Sequence, residues 1–151
     1  MTLSPRAVVV HRRTELEELL ARHGTRGAAE FFLRTRGRDI ADVQARHEAV
    51  RSALAQVAAG IPADWRRGSL ERADLDRFLF EPEDVVVVVG QDGLVANVAK
   101  YLDEQPVVGV NPEPAVNPGV LVPFPVSDVD GALAAAARGL AAVERRAMVE
   151  A

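Results

Sequence analysis

The sequence predicts an α/β fold: a three-layer open sheet of mainly parallel strands, with helices on both faces. Residues 85–89 are five consecutive valines, a short run apolar at every position, which suits a strand buried on both faces of a parallel sheet. Ala7-Val8-Val9-Val10 and Pro106-Val107-Val108-Gly109-Val110 are two more such runs. Helical patterns separate them, and strands alternating with helices give a parallel sheet covered on both sides. Ligands of such sheets sit beyond the carboxyl ends of the strands. The loops after Val10, Val89 and Val110 are therefore expected to share one edge.

In order along the chain, the first strand lies between Arg6 and Arg12. Thr14 then caps a helix, with Glu17 three residues later as its capping-box partner. Leu16, Leu19 and Leu20 form the buried face, and the helix stops near Gly24. After the Gly24–Gly27 turn a second helix is expected over residues 28–36, closed by Gly37. Ile40, Val43, His47, Val50, Leu54 and Val57 recur every three or four residues, a long amphipathic helix over 39–59 ended by Gly60-Ile61-Pro62. Residues 65–70 suggest a short strand, and residues 74–80 a helical turn around Leu75, Phe78 and Leu79. Past the valine strand, Val95, Val98, Ala99 and Leu102 lie on one helical face. A proline-rich loop over 113–118, a short strand over 120–122 and an alanine-rich helix capped by Ser127 or Asp128 and running to about Val143 complete the reading.

At 151 residues the chain is long enough for one domain with a real core. No apolar run approaches the roughly 20 residues needed to span a bilayer. No leader pattern opens the chain, so a cytoplasmic home without membrane partners is expected. Cysteine is absent, which excludes disulfides, thiolate catalysis and Cys-ligated zinc. The net charge of −4 argues against nonspecific nucleic-acid binding. Residues 1–80 carry +3 and residues 81–151 carry −7. The arginines of the first half read as solvated helix faces, with the alternative that a few lie beside a bound phosphate.

Several chemistries are absent from the pattern. There is no Gly-x-x-x-x-Gly-Lys-Ser/Thr loop, and the one lysine, Lys100, falls within a helix. No Gly-x-Gly-x-x-Gly follows a strand, and no serine sits in a nucleophile elbow. His11, His23 and His47 are too scattered for a metal cluster, and His47, on the apolar side of its helix, reads as a satisfied core or boundary histidine rather than a ligand. What remains is Gly90-Gln91-Asp92-Gly93, between the valine strand and the next helix. Glycines permit close backbone approach and positive φ, helix-terminal N–H groups hold anionic oxygens, and a carboxylate can orient or deprotonate an attacking hydroxyl. The same four residues also fit a tight strand-to-helix turn in which the aspartate is a cap.

The stretch resembles the NAD kinase family, within the wider group of diacylglycerol-kinase-like and phosphofructokinase-like enzymes. In that family an apolar strand precedes Gly-Gly-Asp-Gly-Thr. Gly90, Asp92 and Gly93 match, while Gln91 replaces the second glycine and Leu94 the threonine. The family's Gly-Ile-Asn corresponds to Gly109-Val110-Asn111, and its Gly-Phe-Leu to Gly119-Val120-Leu121, so the likeness covers about residues 84–122. It implies a Rossmann-like N-terminal domain of an ATP-dependent kinase that phosphorylates the ribose 2′-hydroxyl of NAD with Mg2+. Asp92 would take the place of the proposed base. Gly90, Gln91 and Gly93 would form the nucleotide cradle, and Asn111 would shape the loop beside it.

Gln91 adds a side chain where the family keeps bare backbone, Leu94 lacks a hydroxyl, and Val120 replaces an aromatic. A sugar or lipid-like alcohol is therefore open as acceptor in place of NAD. The family also carries a β-rich second domain with an Asn-Glu motif, for which this sequence has no counterpart. Residues 1–145 are thus expected to be the nucleotide-binding-type domain, inactive alone, and 146–151 the start of a connection to that second domain. Its absence is expected to expose apolar surface on the alanine-rich helix and the valines after Pro118, which makes a homo-oligomer the expected state. The alternative function is a noncatalytic α/β ligand-binding or assembly module that keeps the turn without the chemistry.

Overall fold

The computed structural model describes residues 5–113 and 131–133. Its elements are β1 (Arg6–His11), α1 (Glu15–His23), α2 (Arg26–Arg34), α3 (Ile40–Gly60), β2 (Arg66–Glu71), a 3₁₀ helix (Arg72–Arg77), β3 (Asp84–Val89), α4 (Asp92–Ala99) and β4 (Val107–Val110). The four strands form one sheet in the order β2-β1-β3-β4, and every pairing is parallel. Helices cover both faces, so the α/β three-layer arrangement expected from the sequence is the one observed.

β3 is paired on both sides, and each of its six residues is buried. Successive side chains of a strand point to opposite faces. Val85, Val87 and Val89 accordingly join Ala7, Val9, Val108 and Val110 beneath Ala53 and Val57 of α3. Leu133, within the helical residues 131–133, packs into this layer too. Val86 and Val88 join Val8, Val10 and Leu70 on the other face, under Leu75 and Leu94, Val95 and Val98 of α4. Fully burying a valine contributes about 1.5–3 kcal/mol, so this one strand anchors both layers.

The helices begin and end on local signals. Thr14 caps α1 with both bonds of the capping box, and Gly24 ends it at φ +80°, a left-handed position suited to glycine. α2 starts two residues earlier than expected and ends at Arg34. The reason is Thr25, whose hydroxyl accepts from the Ala28 N–H and draws Arg26 and Gly27 into the first turn. Asp39 caps α3 through the Ala41 N–H. Leu79 corrects the expected turn over 74–80: the 3₁₀ helix ends at Arg77, and Leu79 is 82% exposed. The chain is extended at Phe78; Phe78 and Phe80 turn inward as an edge-on pair, so the residue between them points out.

α3 serves two cores. Its second half lies on the sheet, whereas Ile40 and Val43 pack with Leu16, Leu19, Ala29 and Leu33 of α1 and α2. Twenty-one residues make a helix about 31 Å long, against about 20 Å for a six-residue strand. The excess stands beyond the sheet, where α1, α2 and the start of α3 form a small helical wall. Arg38 joins α3's N-terminal approach to α1 through both Glu15 oxygens at 2.5 and 3.0 Å, and these bonds hold the Glu15 carboxyl below its ordinary value. The expected strand over 120–122, the rest of the alanine-rich helix, the surfaces invoked for self-association and the segment 146–151 lie outside the described residues. Among the described residues no helix is long and apolar enough to cross a membrane.

At the amino edge of the sheet Arg6 meets Asp84 and, at 3.7 Å, Glu81, which also pairs with Arg66. Asp84, 1% exposed, accepts from Arg6 Nε at 2.8 Å, Arg6 Nη2 at 2.6 Å and the Glu81 N–H at 2.7 Å. The guanidinium also lies 5.2 Å from the Phe78 ring centroid. Removing the cation leaves a buried carboxylate short of its main partner. Arg6→Met is expected to destabilise the protein by about 3 kcal/mol in urea denaturation. A loss below about 1 kcal/mol would mean that the pair is dispensable.

Candidate functional site

Because all four strands are parallel, the loops that follow them lie along one edge. The chain leaves β1 towards β2 on one side of the sheet, and β3 leads to β4 on the other. The strand order thus reverses between β1 and β3, and ligands of open α/β sheets bind at such a switch point. The segment Arg12–Thr14 and the turn Gly90–Gly93 flank it. Continuing the pairing of Val10 with Val88 by two residues brings Arg12 level with Gly90.

The turn is built without left-handed backbone. Gly90 still donates to Val110 O at 3.0 Å, Gln91 is extended at φ −109° and ψ 172°, and α4 begins at Asp92. The positive φ expected at this turn is not found; among the described residues only Gly24 and Gly37 adopt it. An extended Gln91 suffices to link strand to helix. The two glycines differ in purpose. A Cβ on Gly90 would stand 3.0 Å from Leu94 Cδ2, so Gly90 makes room for a core leucine. A Cβ on Gly93 would meet nothing within 4 Å, so only Gly93 offers open backbone at the start of α4.

Asp92 is not the helix cap. Gln91 holds that position, is exposed and makes no side-chain cap bond. Asp92 is half-buried in the first turn, where a carboxylate is favoured by the positive end of the helix dipole. Asn111 follows β4, and the pairing of Val89 with Val110 carries on to set it beside Gly90. It is 3% exposed, and its Oδ1 accepts the Glu113 N–H at 2.9 Å, closing a local turn. Gly90, Gln91, Asp92, Gly93 and Asn111 therefore share one stretch of the edge.

The β1 side of this edge adds two side chains that no motif singles out. Arg12 and Arg13 are both exposed there, directly after β1. Thr14 continues into a contact with His47 of α3, 2.8 Å from Thr14 Oγ1 to His47 Nδ1. Two arginines following a buried strand were the available signal for the first feature. The 33-residue separation hid the second. Among the described residues no cluster of three His, Asp or Glu side chains could hold a metal ion. A concavity of about 480 Å³, lined by Glu30, Arg34, Gly37, Arg38, Asp39 and Ile40, lies on the helical wall and contains none of the predicted site residues.

No family model and no curated protein matches the chain. The contrast between the two glycines is directly testable. Gly90→Ala is expected to cost about 1–3 kcal/mol through overpacking against Leu94. Gly93→Ala is expected to leave stability equal or raise it by up to about 1 kcal/mol, since φ is not positive and the space is open. Thermal melts of the two variants measure this, and equal losses would contradict the assignment.

Proposed function

We propose that this chain is the nucleotide-binding part of a phosphotransferase resembling the NAD kinases, which moves the γ-phosphate of ATP to a hydroxyl such as the ribose 2′-OH of NAD or a sugar alcohol. The observation that carries the reading is the position of Asp92: the first residue of α4, behind a fully buried central strand, at the switch point of a parallel sheet. The turn fits an anionic ligand, because Gln91 brings no side-chain acceptor to the first turn and the space over Gly93 is open. ATP would bring the transferable phosphoryl group with Mg2+, which is commonly held by one or two carboxylates together with substrate phosphates.

Within this reading each residue has a limited task. Gly93 leaves backbone accessible at the helix N-terminus. Asn111 shapes the loop after β4 by accepting the Glu113 N–H. Asp92 orients the acceptor hydroxyl and takes its proton as the oxygen attacks the γ-phosphorus, while the bond to the bridging oxygen breaks and ADP leaves. Arg12 and Arg13 supply positive charge from the opposite lip, opposing the phosphate charge without touching the proton.

A second reading, a noncatalytic ligand-binding module, draws on Gln91 and Leu94. Gln91 places an exposed side chain at the mouth of the turn, and Leu94 fills the space that Gly90 leaves. Turnover separates the two. In the protein as its gene encodes it, Asp92→Asn is expected to keep ATP affinity and to lower ATP-dependent phosphorylation of NAD or a sugar panel by about 10²–10⁴-fold. Equal rates in mutant and parent would remove Asp92 from the chemistry. ATP binding without transfer to any acceptor by the parent would favour the module.

A further inference from the structure

The loop from β1 to α1 is short and carries two adjacent arginines. It is tied to the rest of the molecule by a group of side chains lying just behind them. Thr14 Oγ1 accepts the Glu17 N–H at 3.2 Å, lies 3.2 Å from Glu17 Oε1 and 2.8 Å from His47 Nδ1. The Thr14 N–H reaches the same carboxylate oxygen at 3.5 Å, and His47 Nδ1 is 3.8 Å from it. Arg13 Nη2 donates to Glu17 O at 3.4 Å. His47 belongs to α3, at the level where that helix leaves the sheet and enters the helical wall.

One hydroxyl has one proton and two lone pairs, so these contacts restrict where protons can be. The Glu17 N–H must donate to Thr14 Oγ1. If the Thr14 O–H donates to His47, the carboxylate loses its hydroxyl donor. If the O–H donates to Glu17 Oε1, the third contact is a hydrogen bond only when His47 Nδ1 carries a proton and donates to the oxygen. That arrangement alone satisfies all three contacts. We propose that His47, in its Nδ1–H form, is a positioning residue that acts through Thr14 to fix the β1–α1 loop and hold Arg12 and Arg13 at the crevice facing the Asp92 turn. The identity of the ligand, an anionic nucleotide, rests on the phosphotransferase reading; the tautomer and the loop order do not.

Leucine at position 47 removes the donor, while asparagine keeps a side-chain amide near the Nδ1 position. The test combines imidazole ¹⁵N shifts, amide hydrogen exchange and ATP titration on the intact chain at mildly alkaline pH. The expected results are a protonated Nδ1 and an unprotonated Nε2. In His47→Leu the Glu17 amide should exchange about tenfold faster, with the amides of residues 53–57 unchanged. ATP should bind more weakly to His47→Leu, and His47→Asn should restore both properties. The Nε2–H tautomer, or an unaltered Glu17 amide in His47→Leu, overturns the proposal; the tautomer is read on unmutated protein, so a poorly folding variant does not protect it. Faster exchange with equal ATP affinity in all three proteins overturns the positioning of ligand contacts. If the parent binds no ATP while tautomer and exchange behave as stated, the phosphotransferase reading fails and the ordering of the loop stands.

Discussion

The structure depends on the complete burial of β3. Its six consecutive residues are all buried, Val86, Val87 and Val88 are paired on both sides, and both faces are covered. A strand in that position leaves solvent, and hence ligands, access only at its two ends. It also requires helices above and below, which is why α3 and α4 lie on opposite faces with the alternating valines divided between them. The parallel pairing then follows from the connections, because each helix must return the chain to the starting edge.

The two ends of this region each carry a carboxylate, and the contrast explains their use. Asp84 at the amino end is buried and saturated by Arg6 and the Glu81 N–H. It holds β1 against β3 and has no access to a ligand. Asp92 stands just past the carboxyl end, half-buried, in the first turn of a helix whose cap makes no side-chain bond. The same kind of side chain stabilises the fold at one edge and supports the proposed chemistry at the other. The helical wall adds depth to that second edge, because α3 is longer than the strands it covers.

Much of the scaffold was legible because its signals are local. The valine run, the Thr14–Glu17 capping box and the αL position of Gly24 each need only a few neighbouring residues to specify them. The start of α2 was misplaced by two residues because Thr25 outcompetes the flanking glycines as a start signal. The spacing of Leu75, Phe78 and Leu79 suits a helical turn over 74–80, but the extended backbone at Phe78 ends the turn and faces Leu79 outward. At the site, the grouping of Gly90, Asp92 and Asn111 was foreseeable from parallel strands. The use of Gly90 to admit Leu94, the Arg6–Asp84 pair and the Thr14–His47 contact were not. Each joins residues through packing or long-range hydrogen bonds, which local pattern does not encode.

Residue-resolved NMR titration with MgATP locates the ligand relative to the carboxyl edge between β1 and β3. Amide shift changes are expected to concentrate at residues 12–14, 90–93 and 111, with little change at Arg6, Arg66, Asp84 and Val107 on the opposite edge. Changes centred on that opposite edge or on the wall concavity around Arg34 and Arg38, or no changes at saturating MgATP, would contradict binding at the carboxyl edge.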